Sequence, residues 1–425
     1  MSGSRSLQRG VGTLAVSTLL LFGTTIVIFY LNRGVLFEQK TSANQLRSTA
    51  AFEAAEAGLE WATGMLNRPF DIQANCTFDT TTNISFRKKY VQTQWNAGTN
   101  PTANAVPATN VFPGCYINAG ALVCSCPDVP GSGTATAALT PPRALPSFTV
   151  SFAAVASDPL SVQVTSVGCD AITGACTTAT ATAADSTATV RSILKFRRIL
   201  RAAPAAALTC GTSCGLSGSF NVVNYDASVN GITVNAGTST SGTSGGTIGT
   251  VPGIPPENSV IANDSSLATL AAADPSCTND TMFGAYFGST IAEYAQAPAT
   301  ATVTSKAQFL TQLGNGYRSF YFPSGADLQG TAFNAGTQND PVTIVVNGGD
   351  LNMNSQSVIY GMIFGDNATA GSLGTGSSQI YGALVTCNAF TSNGNGVVAY
   401  DGKALSNAQL NTATLVRVPG SWRDF

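Results

Sequence analysis

The chain has 425 residues, with 20 Lys+Arg against 22 Asp+Glu, a formal charge of −2 and no histidine. That balance gives no electrostatic reason to expect nucleic acid as a partner, and the missing imidazole excludes histidine acid–base catalysis and Ser–His or Cys–His nucleophile pairs. Only 10% of residues are charged and 43 are glycine, yet 44% are hydrophobic, which is ample for a folded chain of more than one domain.

Residues 1–10, MSGSRSLQRG, carry Arg5 and Arg9 and end at Gly10. Residues 11–31, VGTLAVSTLLLFGTTIVIFYL, follow without a charge. About 20 such residues suffice to cross a bilayer as a helix. A secretory signal has a shorter apolar region followed by a small-residue cleavage site, whereas here the small residue comes first. That order suits a peptidase at the cytoplasmic face that removes a leader and leaves the helix on the mature protein. The two arginines hold the leader inside. Residues 38–67 contain no proline and are rich in Ala, Glu, Gln and Leu. Phe52, Ala55, Leu59, Ala62 and Leu66 recur at three- and four-residue steps and share a face, with Glu53, Glu56 and Glu60 largely off it. The pattern predicts one helix over 11–66, whose second half packs under a head through Phe52, Leu59 and Leu66.

Leader, span and the AFEAAEAGLE block together resemble the N-terminal region of the PilX family of type IV pilus minor pilins. The residues concerned are Gln8-Arg9-Gly10, Glu38-Gln39, Asn44, Arg47 and Ala51-Phe52-Glu53-Ala54-Ala55-Glu56-Ala57. The resemblance implies that a prepilin peptidase cuts between Gly10 and Val11. It further implies residence in the inner membrane before assembly, then packing with the major pilin and other minor pilins in an extracellular filament. A plain single-pass anchor is the alternative. Major pilins carry a glutamate five residues into the mature helix, where this chain has Ala15. An unpaired buried charge is costly, so a subunit without that carboxylate suits the filament tip, where one neighbour is missing and a tip adhesin is a possible partner. Insertion anywhere along the shaft by apolar packing, and the tip pseudopilin of a type II secretion system, are rival readings.

Residues 67–203 read as a pilin-like head. The stretch to about 145 is loop-rich, and strands are expected at 147–156, 160–168 and 186–200. Val190, Leu194 and Phe196 alternate with Arg191, Lys195 and Arg197, as in a half-buried strand. The expected fold class is α+β, a long helix packed on a small antiparallel sheet and followed by a β-rich domain over 204–425. Residues 202–207, with Pro204, read as the linker. In the last domain SQSVIYGMIFGD (355–366) is echoed by SSQIYGALVTCN (377–388), which places Tyr360 and Tyr381 21 residues apart. PVTIVVNGGDLNMN (341–354) and LSGSFNVVNYDASVNGITVNAG (216–237) have the same texture. That period points to a short β-solenoid, with a β-sandwich as the competing architecture. Residues 238–320 read as an insertion. It opens on a Ser/Thr/Gly stretch, then a helix over 280–296 with Asp280 as N-cap and Phe283, Phe287 and Ile291 on one face. A second helix over 305–316 ends at Gly314. Phe283, Tyr286 and Phe287 are read as a cover for the solenoid's end or side, a ligand-facing cluster being the alternative.

Ten cysteines in an exported chain read as disulfides. Cys169 and Cys176 bracket a turn, as do Cys210 and Cys214; Cys76, Cys115, Cys124 and Cys126 are expected to pair among themselves, and Cys277 with Cys387 to staple the insertion. Thiolate-held zinc lacks both histidine and paired CxxC knuckles, so no metal and no cofactor is expected. Asp327, Asp350, Asp366 and Asp401 sit in turn-like contexts and read as Asx turns rather than a glycosidase pair. The oxygen-rich turns NGGD at 347–350 and Asp366-Asn367 fall short of a complete Ca²⁺ loop. The expected function is a non-enzymatic minor pilin that primes assembly or caps the tip and presents a head for adhesion. The alternative is a membrane-anchored exported β-protein that binds or cleaves polysaccharide.

Overall fold

One helix, α1 (Gln8–Leu66), runs unbroken for 59 residues, about 90 Å at the α-helical rise. The structure is a computed structural model describing residues 8–79, 85–94, 102–105, 112–127, 139, 141–142, 144–155, 158, 160–172, 176, 184–243, 247–275, 277, 279–366, 377–392 and 394–424. Helical backbone already begins at Gln8, so the helix includes the last leader residues instead of starting at 11; residues 1–7 lie outside the described residues. The helix ends just before Pro69, and its last carbonyls find partners. Asn67 Nδ2 donates to Thr63 O at 3.1 Å, and Arg87 Nε to Leu66 O at 2.9 Å.

The C-terminal part of α1 lies on an antiparallel sheet built from β1 (Gly114–Asn118), β2 (Ala121–Ser125), β3 (Leu145–Ala154), β4 (Ser161–Ile172) and β5 (Thr187–Arg197). Val190, Leu194 and Phe196 are buried while Arg191, Lys195 and Arg197 are exposed, the alternation of a sheet with one wet face. The helix buries Ala55, Leu59, Ala62 and Leu66 against Phe148, Val150, Val164 and Val190. Glu53, Glu56 and Glu60 stay exposed. Backbones approach closely here because two glycines lack a side chain. A Cβ on Gly168 would fall 2.2 Å from Ala51 O, and one on Gly58 would fall 2.7 Å from the Phe148 ring.

Beyond residue 207 every pairing between described strands is parallel except that of the last strand, unlike a sandwich of antiparallel sheets. Besides several further two-residue strands, the stack is built from β6 (Leu208–Cys210), β7 (Asn221–Asn224), β8 (Val234–Ala236), β9 (Ile248–Thr250), β10 (Val260–Ile261), β11 (Thr300–Thr302), β12 (Ser319–Phe322), β13 (Val342–Asn347), β14 (Val358–Asp366), β15 (Gln379–Thr386) and β16 (Val397–Tyr400). Sheet order is β9-β7-β16-β15-β14-β13-β12-β11, with β6 paired to both β15 and β8. The chain thus enters mid-stack at β6 and β7 and builds outward through β8, β9 and β10. It then crosses to the far edge at β11 and returns strand by strand until β15 and β16 lie beside β6 and β7. The repeat read from the sequence is visible as Tyr360 stacked on Tyr381, ring centroids 4.8 Å apart and 15° from parallel. Inward residues such as Ile344, Ile363, Leu384 and Val398 form one core.

This path corrects two boundaries. The insertion does not begin at 238 or extend to 320: β9, β10, β11 and β12 are members of the parallel stack. What crosses the outside is the segment with α3 (Ser265–Ala273), α4 (Thr281–Phe287) and α5 (Ile291–Gln296), α2 being the short helix Phe86–Tyr90 and α6 Lys306–Gly314. The single helix expected over 280–296 is two, because Gly288 turns left-handed (φ 63°) and Thr290 starts α5 with a capping box to Glu293. Asp280 stands at the α4 N-cap but its side chain does not cap there; its Oδ1 accepts from Ile291 N at 3.1 Å. Nor does the β-rich unit run to residue 425, although it has a core of its own between Ala207 and Val398. After α7 (Gly402–Asn411), β17 (Thr414–Arg417) pairs antiparallel with β5 and becomes the sixth strand of the head sheet.

Candidate assembly helix

Residues Gly12–Leu31 have a mean hydropathy of 2.2 and none of the span is buried within the chain. Leu19, Phe29 and Tyr30 are 73%, 76% and 77% exposed. Apolar surface on this scale is unfavourable in water at roughly 25 cal/mol per Å²; it needs lipid or another apolar surface. The polar atoms in the stretch suit such surroundings. Thr18 Oγ1 donates to Leu14 O and Thr24 Oγ1 to Leu20 O, each at 2.9 Å, and Thr25 Oγ1 donates to Leu21 O. These three hydroxyl protons are thereby satisfied within the helix, as a dry environment requires. Ala15 lies on this exposed stretch and brings no charge to it. Gly10 and Val11 lie in helical backbone, and the Val11 side chain is outside the described residues.

The other end of α1 is held by the head. Leu59 and Leu66 are buried, while Phe52 is half-buried and meets Trp422 edge-on at 6.3 Å. Five largely buried disulfides brace the fold: Cys76–Cys126, Cys115–Cys124, Cys169–Cys176, Cys210–Cys214 and Cys277–Cys387. The last ties the crossing segment to the turn after β15. There Phe283 and Phe287 stack at 4.2 Å and pack on Phe364, with Met362, Val385 and half-buried Tyr286 in the same cluster, so these aromatics cover a side of the stack.

Sequence reasoning missed the junction between head and stack. Asp340 Oδ2 accepts from Lys88 Nζ at 2.7 Å and from Arg318 Nε at 2.9 Å, and Oδ1 accepts from Asn411 Nδ2 at 3.0 Å. Burial pushes the Asp340 pKa up, but Lys88 and Arg318 overcome it and hold the carboxyl below the usual range. Asn339-Asp340-Pro341 announces a turn, and nothing in it announces these partners. Buried Arg87, its pKa lowered to about 10 by desolvation, also bridges, with Nη1 reaching Leu410 O at 3.4 Å.

The acids considered for chemistry are dispersed in local roles. Asp327 Oδ1 accepts from Gln329 N at 3.2 Å; Asp401 caps α7 through Ala404 N at 2.9 Å and takes Gln338 Nε2 at 2.8 Å. Asp366 ends β14, and Asn367 lies outside the described residues. Asp350 follows the left-handed Gly348 and Gly349, and its carbonyl accepts from Ala326 N at 2.8 Å. Among the described residues no three His, Cys, Asp or Glu side chains gather as a metal site would require.

No protein-family model and no curated protein matches the chain. Among solved structures it is similar to the competence-associated pilin ComZ from Thermus thermophilus, with 11% identity over 89% of this chain and 97% of that one and a TM-score of 0.22. A likeness at that score carries no argument, and the functional reading rests on the chain's own geometry.

Proposed function

We propose that the chain is a minor pilin of the PilX kind in a type IV pilus, without enzymatic activity. The observation that carries this reading is the division of α1, a rigid rod with its N-terminal part bare and apolar and its C-terminal part seated on an antiparallel sheet. After a prepilin peptidase removes residues 1–10, the span from Val11 leaves the inner membrane sideways and packs among the helices of the major pilin and other minor pilins. The parallel stack is a β-solenoid carried outside, where its Ser, Thr, Asn and Gly surface serves adhesion, alone or beside a tip adhesin. Ala15 favours the tip, because at that end no neighbouring terminal amine requires a carboxylate.

Mass spectrometry of the protein from sheared filaments tests both halves. The expected N-terminus is Val11, with the chain at filament ends in cryo-electron micrographs. A leader still attached, or a chain confined to the inner membrane while filaments form without it, overturns the reading.

A further inference from the structure

A cleft of about 410 Å³ opens where the end of β5 meets α4 and α5, within the size range of small-ligand sites. Its lining includes Arg197, Arg198, Arg201, Ser289, Glu293 and Thr414. Three arginines and one acidic residue therefore line the cleft, in a chain whose net charge is −2. The one carboxylate is already engaged, since Glu293 Oε2 accepts from Thr290 N at 2.9 Å in the α5 capping box. The side chain of Arg201 makes no hydrogen bond or ion pair among the described residues, and that of Arg197 makes none beyond its Coulombic attraction to Glu293. Arg198 reaches Gln409 Oε1 through Nη1 at a long 3.4 Å, and its Nε–H is buried without an acceptor among the described residues. A buried donor left unmade is costly, and this one belongs to a residue that lines the cleft.

We propose that this cleft binds the oxyanion of a small ligand, a carboxylate or a phosphate. Guanidinium forks match both groups, with paired N–H donors that a lysine cluster lacks. Ser289 and Thr414 add hydroxyls suited to the neutral remainder of the ligand. The site is independent of the pilus reading, because every residue in it belongs to the head, the crossing helices or the strand that joins them.

Isothermal titration of the full chain in detergent, with inorganic phosphate, glucuronate and neutral glucose as probes, decides the matter. Saturable binding of phosphate, glucuronate or both is expected, with none for glucose; which acid binds identifies the source of the oxyanion. Arg197→Gln with Arg201→Gln should weaken that binding about tenfold or more, and raised salt should weaken it further. Glu293→Gln keeps a capping-box side chain but removes the competing charge, and should tighten binding several-fold. Absence of saturable binding by either acid overturns the proposal. So does glucose binding as well as the acids, or unchanged affinity in the Glu293→Gln protein, a variant that does not depend on the arginine pair folding normally.

Discussion

At Gly168 the helix and sheet touch through backbone alone. A methyl group there meets Ala51 O at 2.2 Å and Ala55 N at 2.4 Å, neither of which can swing aside. Gly168→Ala should therefore lower stability by about 1–3 kcal/mol, read as a drop in the thermal midpoint with the disulfides intact. Arg87 acts at the same level of detail. It gives one donor to the last carbonyl of α1 and another to Leu410 in α7. Arg87→Met retains most of the stem's packing but removes both donors, and should cost about 1–3 kcal/mol, measurable by chemical denaturation. The stripe Phe52, Leu59 and Leu66 was legible from spacing, because a helix repeats every 3.6 residues whatever covers it. Gly168 was not, since a glycine beside a strand looks the same whether solvent or a helix lies above it.

Among the elements, the crossing segment depends most on a covalent tie. Its helices are short, with seven residues in α4 and six in α5, too few to persist alone. They persist by packing Phe283, Phe287 and Ile291 into the cluster that also buries Met362, Phe364 and Val385. Cys277–Cys387 closes a sequence separation of 110 residues. Replacing both cysteines by alanine should cost about 3–5 kcal/mol by the loop-entropy argument, and limited proteolysis should then cut first within 262–299. The strands of the head were legible from alternation, while the helix break at Gly288 was not. Phe283, Phe287 and Ile291 keep helical spacing across it, so apolar periodicity alone does not register the interruption. Parallel pairing was hidden for a related reason, because residues buried on both faces give no alternation from which to read a partner.

In the whole molecule, head and stack interlock: α7 leads out of the stack and β17 joins the head sheet beside β5. Asp340, held within the stack by Arg318, ties the two further through Lys88 of the head. Its folded pKa lies below the unfolded value, so its contribution is complete above the ordinary carboxylate range and fades as pH falls through the lower folded value. Thermal midpoints followed below about pH 4 should therefore fall less steeply in Asp340→Asn, which starts less stable at neutral pH. Truncation before Thr414 should expose the edge of β5 and cause self-association by strand pairing, visible in light scattering.

The order of amino acids alone dictates whatever is local. Twenty-one uncharged, mostly apolar residues must seek lipid or like company, Ala- and Glu-rich turns propagate a helix, and segments that echo one another 21 residues apart adopt the same local shape. Those consequences follow from backbone geometry and hydration, with no distant partner needed. Which strand sits beside which was decided only in the folded chain. That β6 lies against β15, or that the last strand returns to the head, depends on surfaces brought together across 170 residues or more. Such pairings win by joint burial and hydrogen bonding, and neither is written in the composition of any one segment.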